Sequence, residues 1–247
     1  MLGVAARRGV SRRMSYTDPE PVEDDLFPEE GWDVPWHSYV LPVLLAAGMT
    51  GAWLLHFPRG MTAWAVSGAA LADGHYATIA LHMVAHGPLV HIAMNMAALF
   101  VIGGRLMTRL GVAPASWLRF LALFALSGLA GAACYLAVHP QGAMPMLGAS
   151  GALYGLLGLL VRLPPEPGQL PSLRTARMRR VAIRLIMDNV WLFALLVLPS
   201  LLLRGEAMGL AWEAHLGGFL LGLLAGPLFL PSSAHAQIVS AAPEGAS

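Results

Sequence analysis

The sequence MLGASGALYGLLGLLV at residues 146–161 is apolar except for one serine and one tyrosine, Ser150 and Tyr154. A long uncharged apolar stretch predicts a helix in hydrocarbon, because lipid cannot satisfy the backbone polar groups of an open structure. A hydroxyl inside such a helix is costly unless it faces a protein-lined cavity. Ser150 therefore marks a candidate functional site inside a membrane.

The composition of the whole chain agrees with a membrane protein. Of the 247 residues, 57% are hydrophobic and only 12% are charged, and the mean hydropathy is +0.63. A soluble domain carries about a quarter charged residues. The net charge of +1 offers no basic surface for nucleic acid. The lipid bilayer is the expected environment, and no nucleic-acid partner is expected.

Six apolar segments are candidates for transmembrane helices, and none alternates as the strands of a membrane barrel do. They lie at residues 39–57, 86–104, 117–138, 146–161, 185–203 and 211–230. Residues 58–81 form an insert between the first two spans, and its apolar centre at 62–72 is too short to cross. A short interfacial helix is expected there. The predicted fold class is an all-α polytopic membrane protein with a six-helix bundle.

The orientation of the spans is predicted from arginines alone, because the chain has no lysine. Nine arginines flank the connections after spans two and four: Arg105, Arg109, Arg119, Arg162, Arg174, Arg177, Arg179, Arg180 and Arg184. The opposite connections carry only Arg59 and Arg204. The positive-inside rule therefore places both termini in the cytoplasm.

Polar segments are expected on both sides of a membrane domain at residues 39–230. Residues 1–38 run from an arginine-bearing start into an acidic stretch broken by prolines, which predicts a disordered arm. Residues 231–247 are expected to form a flexible tail. No apolar secretory signal precedes the first span, and an organellar transit peptide at residues 1–17 is an alternative that the acidic run weakens. The bias toward alanine, glycine and arginine favours a bacterial inner membrane.

Polar groups from three spans are expected at one depth. Spans two, four and six start at the non-cytoplasmic side, and His91, Ser150 and His215 each lie in the first two turns. A rise of about 1.5 Å per residue puts each within roughly 10 Å of its helix start. Asn95 shares a helix face with His91, as Tyr154 does with Ser150. Water from the outer face can therefore reach this region.

Glycines at four-residue spacing predict a close approach of spans four and six. They are Gly151 and Gly155 in span four, and Gly218, Gly222 and Gly226 in span six. Such repeats let helix backbones pack tightly in membranes. This contact would bring Ser150 toward His215.

These residues supply the parts that acyl transfer needs. Ser150 is the candidate nucleophile, and His215 is the base that takes its proton. The Ser150 backbone N–H at a helix N-terminus, with the side chains of His91 and Asn95, is expected to stabilise the oxyanion.

No carboxylate is expected to orient the histidine. Glu213 is two residues from His215, a spacing that faces another side of a helix. Asp188 starts span five at the far side of the membrane, near Arg184. A Ser-His dyad is therefore predicted.

Three linked motifs resemble those of the rhomboid family of intramembrane serine proteases. They are His82-x3-His86-x4-His91-x3-Asn95 in span two, Gly148-Ala149-Ser150-Gly151-x2-Tyr154 in span four, and Ala214-His215-x2-Gly218-x3-Gly222 in span six. The resemblance covers about residues 39–230 and implies a water-filled cavity in which Ser150 and His215 react while His91 and Asn95 stabilise the oxyanion. It implies substrates with a single transmembrane helix, and a lateral gate formed by span five and the loop 204–212.

Two positions depart from the pattern of that family. Residues 76–79 read Tyr-Ala-Thr-Ile where the family often has a Trp-Arg or Glu-Arg pair. Met107 stands where a glutamate often follows the paired glycines of span two. Arg105 or Arg109 is expected to anchor that end of the span instead.

Two other functions stay open on the sequence. A protease-inactive relative could act as a membrane chaperone, although such proteins typically lack the serine or the histidine. A metal or haem protein could use His82, His86, His91 and His215, but no glutamate or cysteine completes a zinc site, and the single Cys134 excludes an intrachain disulfide. No metal or cofactor is expected. The residues expected to shape the cavity are His82, His86, Tyr154, Gly148, Gly151 and Gly218.

Overall fold

The computed structural model describes residues 34–164, 170–204 and 211–232, and in these residues all regular structure is helical apart from one backbone bridge between Val66 and Met146. The α-helices are α1 (Val40–His56), α2 (Gly68–Ala72), α3 (Thr78–Leu81), α4 (Leu89–Met107), α5 (Ala115–Val138), α6 (Ser150–Arg162), α7 (Ala176–Arg204) and α8 (Trp212–Leu224). Short 3-10 helices occupy Trp36–Tyr39, Thr62–Trp64 and Gly226–Phe229. Nearly all of the predicted arm and tail lies outside the described residues.

Apolar helices dominate the fold. Within the described residues, three segments are long and apolar enough to cross a membrane: Trp36–His56, Leu89–Met107 and Ala115–Val138. Leu55 and Leu118 are 81% and 67% exposed, as expected of side chains that face lipid. These helices fit a multi-pass membrane protein. The helices α6, α7 and α8 take the places of the last three predicted spans, and the count of six stays a prediction.

Three helix starts differ clearly from the predicted boundaries. Span two is predicted at residues 86–104 and the histidine motif that starts at His82 is assigned to it, but α4 begins at Leu89. Pro88 explains this, because the residue before a proline avoids the helical conformation. His82 instead ends the short helix α3, and His86 lies in the connection to α4. Helix α6 begins only at Ser150, and α7 begins at Ala176 instead of residue 185.

The insert between α1 and α4 is not one interfacial helix. It contains the 3-10 helix Thr62–Trp64 and the short helices α2 and α3, joined by turns. Val66 exchanges two backbone hydrogen bonds of 2.9 Å with Met146, and both residues are buried. The insert is thereby tied to the segment that leads into α6.

Glycines let α5, α6 and α8 pack closely. A Cβ at Gly218 would overlap the carbonyl oxygen of Gly151, and a Cβ at Gly222 would overlap that of Gly155. A Cβ at Gly131 of α5 would lie 2.7 Å from the carbonyl oxygen of Ala214. The approach expected from the glycine repeats is therefore present, and it brings the starts of α6 and α8 together.

We expect Gly222→Leu to destabilise the bundle. The added side chain would meet the backbone of Gly155, which cannot turn aside as a side chain can. Overpacking of this kind costs about 1–3 kcal/mol, so the Tm in detergent should fall. Gly51→Leu on α1 is the matched control, because a Cβ there has nothing within 4 Å. Equal Tm values for the two variants would contradict the close packing of α6 and α8.

An arginine connects the cytoplasmic ends predicted for α4 and α6. Arg109 Nη2 donates a hydrogen bond of 2.8 Å to the carbonyl oxygen of Pro164. The sequence predicts such an anchor from Arg105 or Arg109 in place of the missing glutamate. Arg109 makes this contact just beyond the last residue of each helix.

Candidate active site

Ser150 and His215 meet across the contact between α6 and α8. Ser150 Oγ lies 2.9 Å from His215 Nε2, and the His215 side chain is buried. Gly148 adopts φ of +122°, a left-handed conformation that favours glycine, and its N–H donates to the carbonyl oxygen of His82 at 2.8 Å. This turn fixes where α6 begins. As the first residue of α6, Ser150 has a backbone N–H without an intrahelical acceptor.

Tyr154 packs flat against the imidazole of His215. The two ring centroids are 4.2 Å apart and the ring planes differ by 5°. Tyr154 is one helical turn beyond Ser150 on α6, so both side chains face α8. The packing expected from the sequence is therefore present, and it limits rotation of the His215 ring.

Asn189 of α7 is a site residue that the sequence reasoning missed. Its Oδ1 lies 2.8 Å from His215 Nδ1, the ring nitrogen opposite Ser150. Its Nδ2 donates to Tyr154 Oη at 3.0 Å and to the carbonyl oxygen of Leu185 at 2.8 Å. The expected dyad is thus a hydrogen-bonded chain of three side chains. The available signal was a polar amide within a predicted span, since an amide oxygen can accept a hydrogen bond from an imidazole.

Both nearby carboxylates are paired elsewhere. Glu213 is buried, and its Oε1 lies 2.8 Å from His139 Nε2 at the end of α5. Asp188 Oδ1 lies 3.1 Å from Arg184 Nε. The group that contacts His215 Nδ1 is accordingly an amide. Asp188 contacts Arg184 as expected, but its predicted position at the far end of the span is wrong, because Asp188 is the thirteenth residue of α7 and directly precedes Asn189.

His91 lies beside the turn that precedes Ser150. Gly87 N–H donates to His91 Nδ1 at 3.4 Å, which leaves the proton on Nε2 when the ring is neutral. A Cβ at Gly148 would lie 2.7 Å from His91 Nε2. The Nε2 edge of His91 therefore lies against the backbone two residues before Ser150.

Asn95 lies one turn below His91 on α4. Its side chain is buried, and Nδ2 donates to the carbonyl oxygen of His91 at 2.8 Å. Asn95 Oδ1 has no hydrogen-bond partner among the described residues. A buried polar atom of this kind requires an explanation, because leaving it unpaired costs free energy.

His82 and His86 support the site from outside α4. His82 Nδ1 contacts the carbonyl oxygen of Ile79 at 2.9 Å, while its own carbonyl oxygen holds Gly148. His86 Nδ1 contacts the carbonyl oxygen of Val84 at 2.9 Å, and its ring lies 5.4 Å from that of His91.

A cavity of about 170 Å³ is lined by Trp53, Phe57, Gly60, Met61, Thr62, His86, Gly87 and Leu147. Within the described ranges, no group of three or more His, Cys, Asp or Glu side chains could hold a metal ion.

The apolar helices and the contact between Ser150 and His215 define the class, a multi-pass membrane protein with a serine and a histidine paired between helices. A family model described as "Rhomboid domain" matches residues 73–232, more than half of the chain, and the chain belongs to the rhomboid family. The chain is also similar to RHOMBOID-like protein 5 of Arabidopsis thaliana, with 40% identity over 76 residues. That match covers 31% of this chain and 23% of the plant protein. Family membership supports an intramembrane protease or an inactive relative.

Proposed function

We propose that the protein is an intramembrane serine endopeptidase that hydrolyses peptide bonds in or near the transmembrane helix of single-span substrates. The observation that carries this proposal is the hydrogen bond of 2.9 Å between Ser150 Oγ and His215 Nε2. A serine hydroxyl is a weak nucleophile until a neighbouring base takes its proton. The imidazole is placed to act as that base.

The reaction begins when Ser150 Oγ attacks the substrate carbonyl and its proton passes to His215 Nε2. The Ser150 backbone N–H and the His91 Nε2–H are the donors for the oxyanion, with Asn95 behind them on the same helix face. The protonated His215 then gives its proton to the leaving amine, which leaves an acyl group on Ser150. Water, activated by the same imidazole, hydrolyses this ester and restores the serine.

The positions of three site residues along their helices support a shared depth in the membrane. His91, Ser150 and His215 are the third, first and fourth residues of α4, α6 and α8. With six spans and the arginine-rich ends in the cytoplasm, these starts lie at the outer side of the membrane. The site therefore opens to the outer face, both termini are cytoplasmic, and the bacterial inner membrane is the proposed location. Residues 205–210 of the expected gate lie outside the described residues.

The test is cleavage of a single-span substrate in proteoliposomes, measured with and without a metal chelator. Wild type should cut within or beside the span, and Ser150→Ala should be inert. Ser116→Ala is the control. Ser116 is also buried, but it lies in the first turn of α5, far along that helix from Gly131, which packs against α8 beside the site. The assay uses a panel of substrates with small residues near the outer end of the span, so that one unsuitable substrate is not mistaken for an inactive protein. Inertness toward the whole panel would favour the inactive membrane chaperone, and loss of activity on chelation would favour a metal protein.

A further inference from the structure

Asn189 is a polar residue near the middle of α7. The residues Ile186, Val190 and Trp191 around it are 63%, 55% and 69% exposed, whereas Asn189 is partly buried. A polar side chain in a membrane helix is costly unless it is paired inside the protein. Asn189 is paired, because its amide faces α6 and α8.

The contacts of the amide fix which way it points. An amide can be flipped in a structure, since its oxygen and nitrogen have similar shapes. Here the carbonyl oxygen of Leu185 can only accept a hydrogen bond, so the group beside it at 2.8 Å must be the Nδ2 of Asn189. The acceptor Oδ1 is then the atom that faces His215 Nδ1 at 2.8 Å.

The direction of that hydrogen bond determines the state of the imidazole. Oδ1 accepts, so His215 Nδ1 must carry the ring proton. In a neutral ring the other nitrogen is then unprotonated. This is the tautomer in which Nε2 can take the proton of Ser150. The opposite tautomer would present an N–H to the serine and could not act as a base.

The same amide also holds the ring that packs on His215. Asn189 Nδ2 donates to Tyr154 Oη, and Tyr154 stacks on the imidazole. Below these polar contacts, Met178 and Val181 of α7 pack with Val161 of α6, and Phe219 and Leu223 of α8 pack against this cluster. The position of the amide therefore depends on how α7 packs against both helices.

We propose that Asn189 is a positioning residue that sets the tautomer and the rotation of His215, so that the base is competent only while α7 is packed against α6 and α8. As a statement about catalysis, this inference rests on the proposed protease function. As a statement about the imidazole, it rests on the hydrogen bonds of Asn189 alone.

The variants are Asn189→Leu, which keeps the volume without a hydrogen bond, and Asn189→Asp, which restores an oxygen acceptor for Nδ1. Val190→Ala is the control on the exposed side of the same helix. A buried hydrogen bond is worth about 1–3 kcal/mol when one partner is left unpaired. We expect Asn189→Leu to lower kcat by about five- to a hundredfold, with KM within about twofold. Asn189→Asp should recover much of the loss, and Val190→Ala should match wild type.

A spectroscopic measurement tests the tautomer without activity. ¹⁵N NMR of histidine-labelled protein in lipid distinguishes the two ring nitrogens, and the His215 signals are those lost in His215→Gln. Wild type should show protonated Nδ1 and unprotonated Nε2, and Asn189→Leu should show a mixture or the opposite tautomer. Equal kcat in wild type and Asn189→Leu, an aspartate no better than leucine, or an unchanged tautomer would overturn the proposal. A wild type inert to substrates and to a fluorophosphonate probe would refute the protease function, while the NMR result would still decide the role of the amide.

Discussion

Ser150→Ala and His215→Ala are each expected to lower kcat by about 10⁴-fold or more, and the double variant is expected to be no worse than either single one. The reason is that the two side chains act as one unit through the 2.9 Å contact between Oγ and Nε2. An imidazole without the serine has no nucleophile to activate. A serine without the imidazole keeps its proton and attacks poorly.

The measurement is the initial rate of cleavage of one single-span substrate in proteoliposomes, with equal amounts of folded protein. Reaction with a fluorophosphonate probe, which modifies an activated serine, gives an independent readout of the same pair. Losses that multiply in the double variant would show that the two residues act separately. Residual cleavage by Ser150→Ala at the wild-type site would assign the nucleophile to another residue.

The helices could be predicted from composition, but not where three of them begin. Long uncharged runs predict α1, α4 and α5 directly, because only a helix satisfies the backbone in lipid. The predicted start of α4 is too early, because Pro88 disfavours the helical conformation in the residue before it. The bridge between Val66 and Met146 joins residues far apart in the chain, so no local pattern indicates it.

The residues of the candidate site could likewise be predicted only in part. Ser150, Tyr154 and His215 could be placed together because glycine repeats on two helices predict a close contact in a known register. Asn189 could not be placed, since the face that α7 turns toward α8 depends on side-chain packing along both helices. The lack of a suitably placed acid also does not exclude a third group, because an amide oxygen accepts a hydrogen bond from Nδ1 as well as a carboxylate does.

Gly148→Ala is expected to lower kcat by about 10²- to 10³-fold, the usual effect of losing one oxyanion donor. The φ of +122° strains any other residue here, and the new Cβ would lie 2.7 Å from His91 Nε2. Either the imidazole moves away from the oxyanion position or the first turn of α6 shifts. In both cases the donor and Ser150 lose their alignment while most of the bundle stays folded.

Two comparisons separate this cause from general damage. Gly74→Ala is the matched control, because Gly74 has φ of +85° but nothing within 4 Å of its Cβ. It should bear similar backbone strain and remain active. The double variant Gly148→Ala with His91→Ala should be no slower than His91→Ala alone if the methyl group acts by displacing that imidazole. A further large loss in the double variant would mean instead that the turn positions Ser150 itself, and that the start of α6 matters more to the chemistry than the His91 donor.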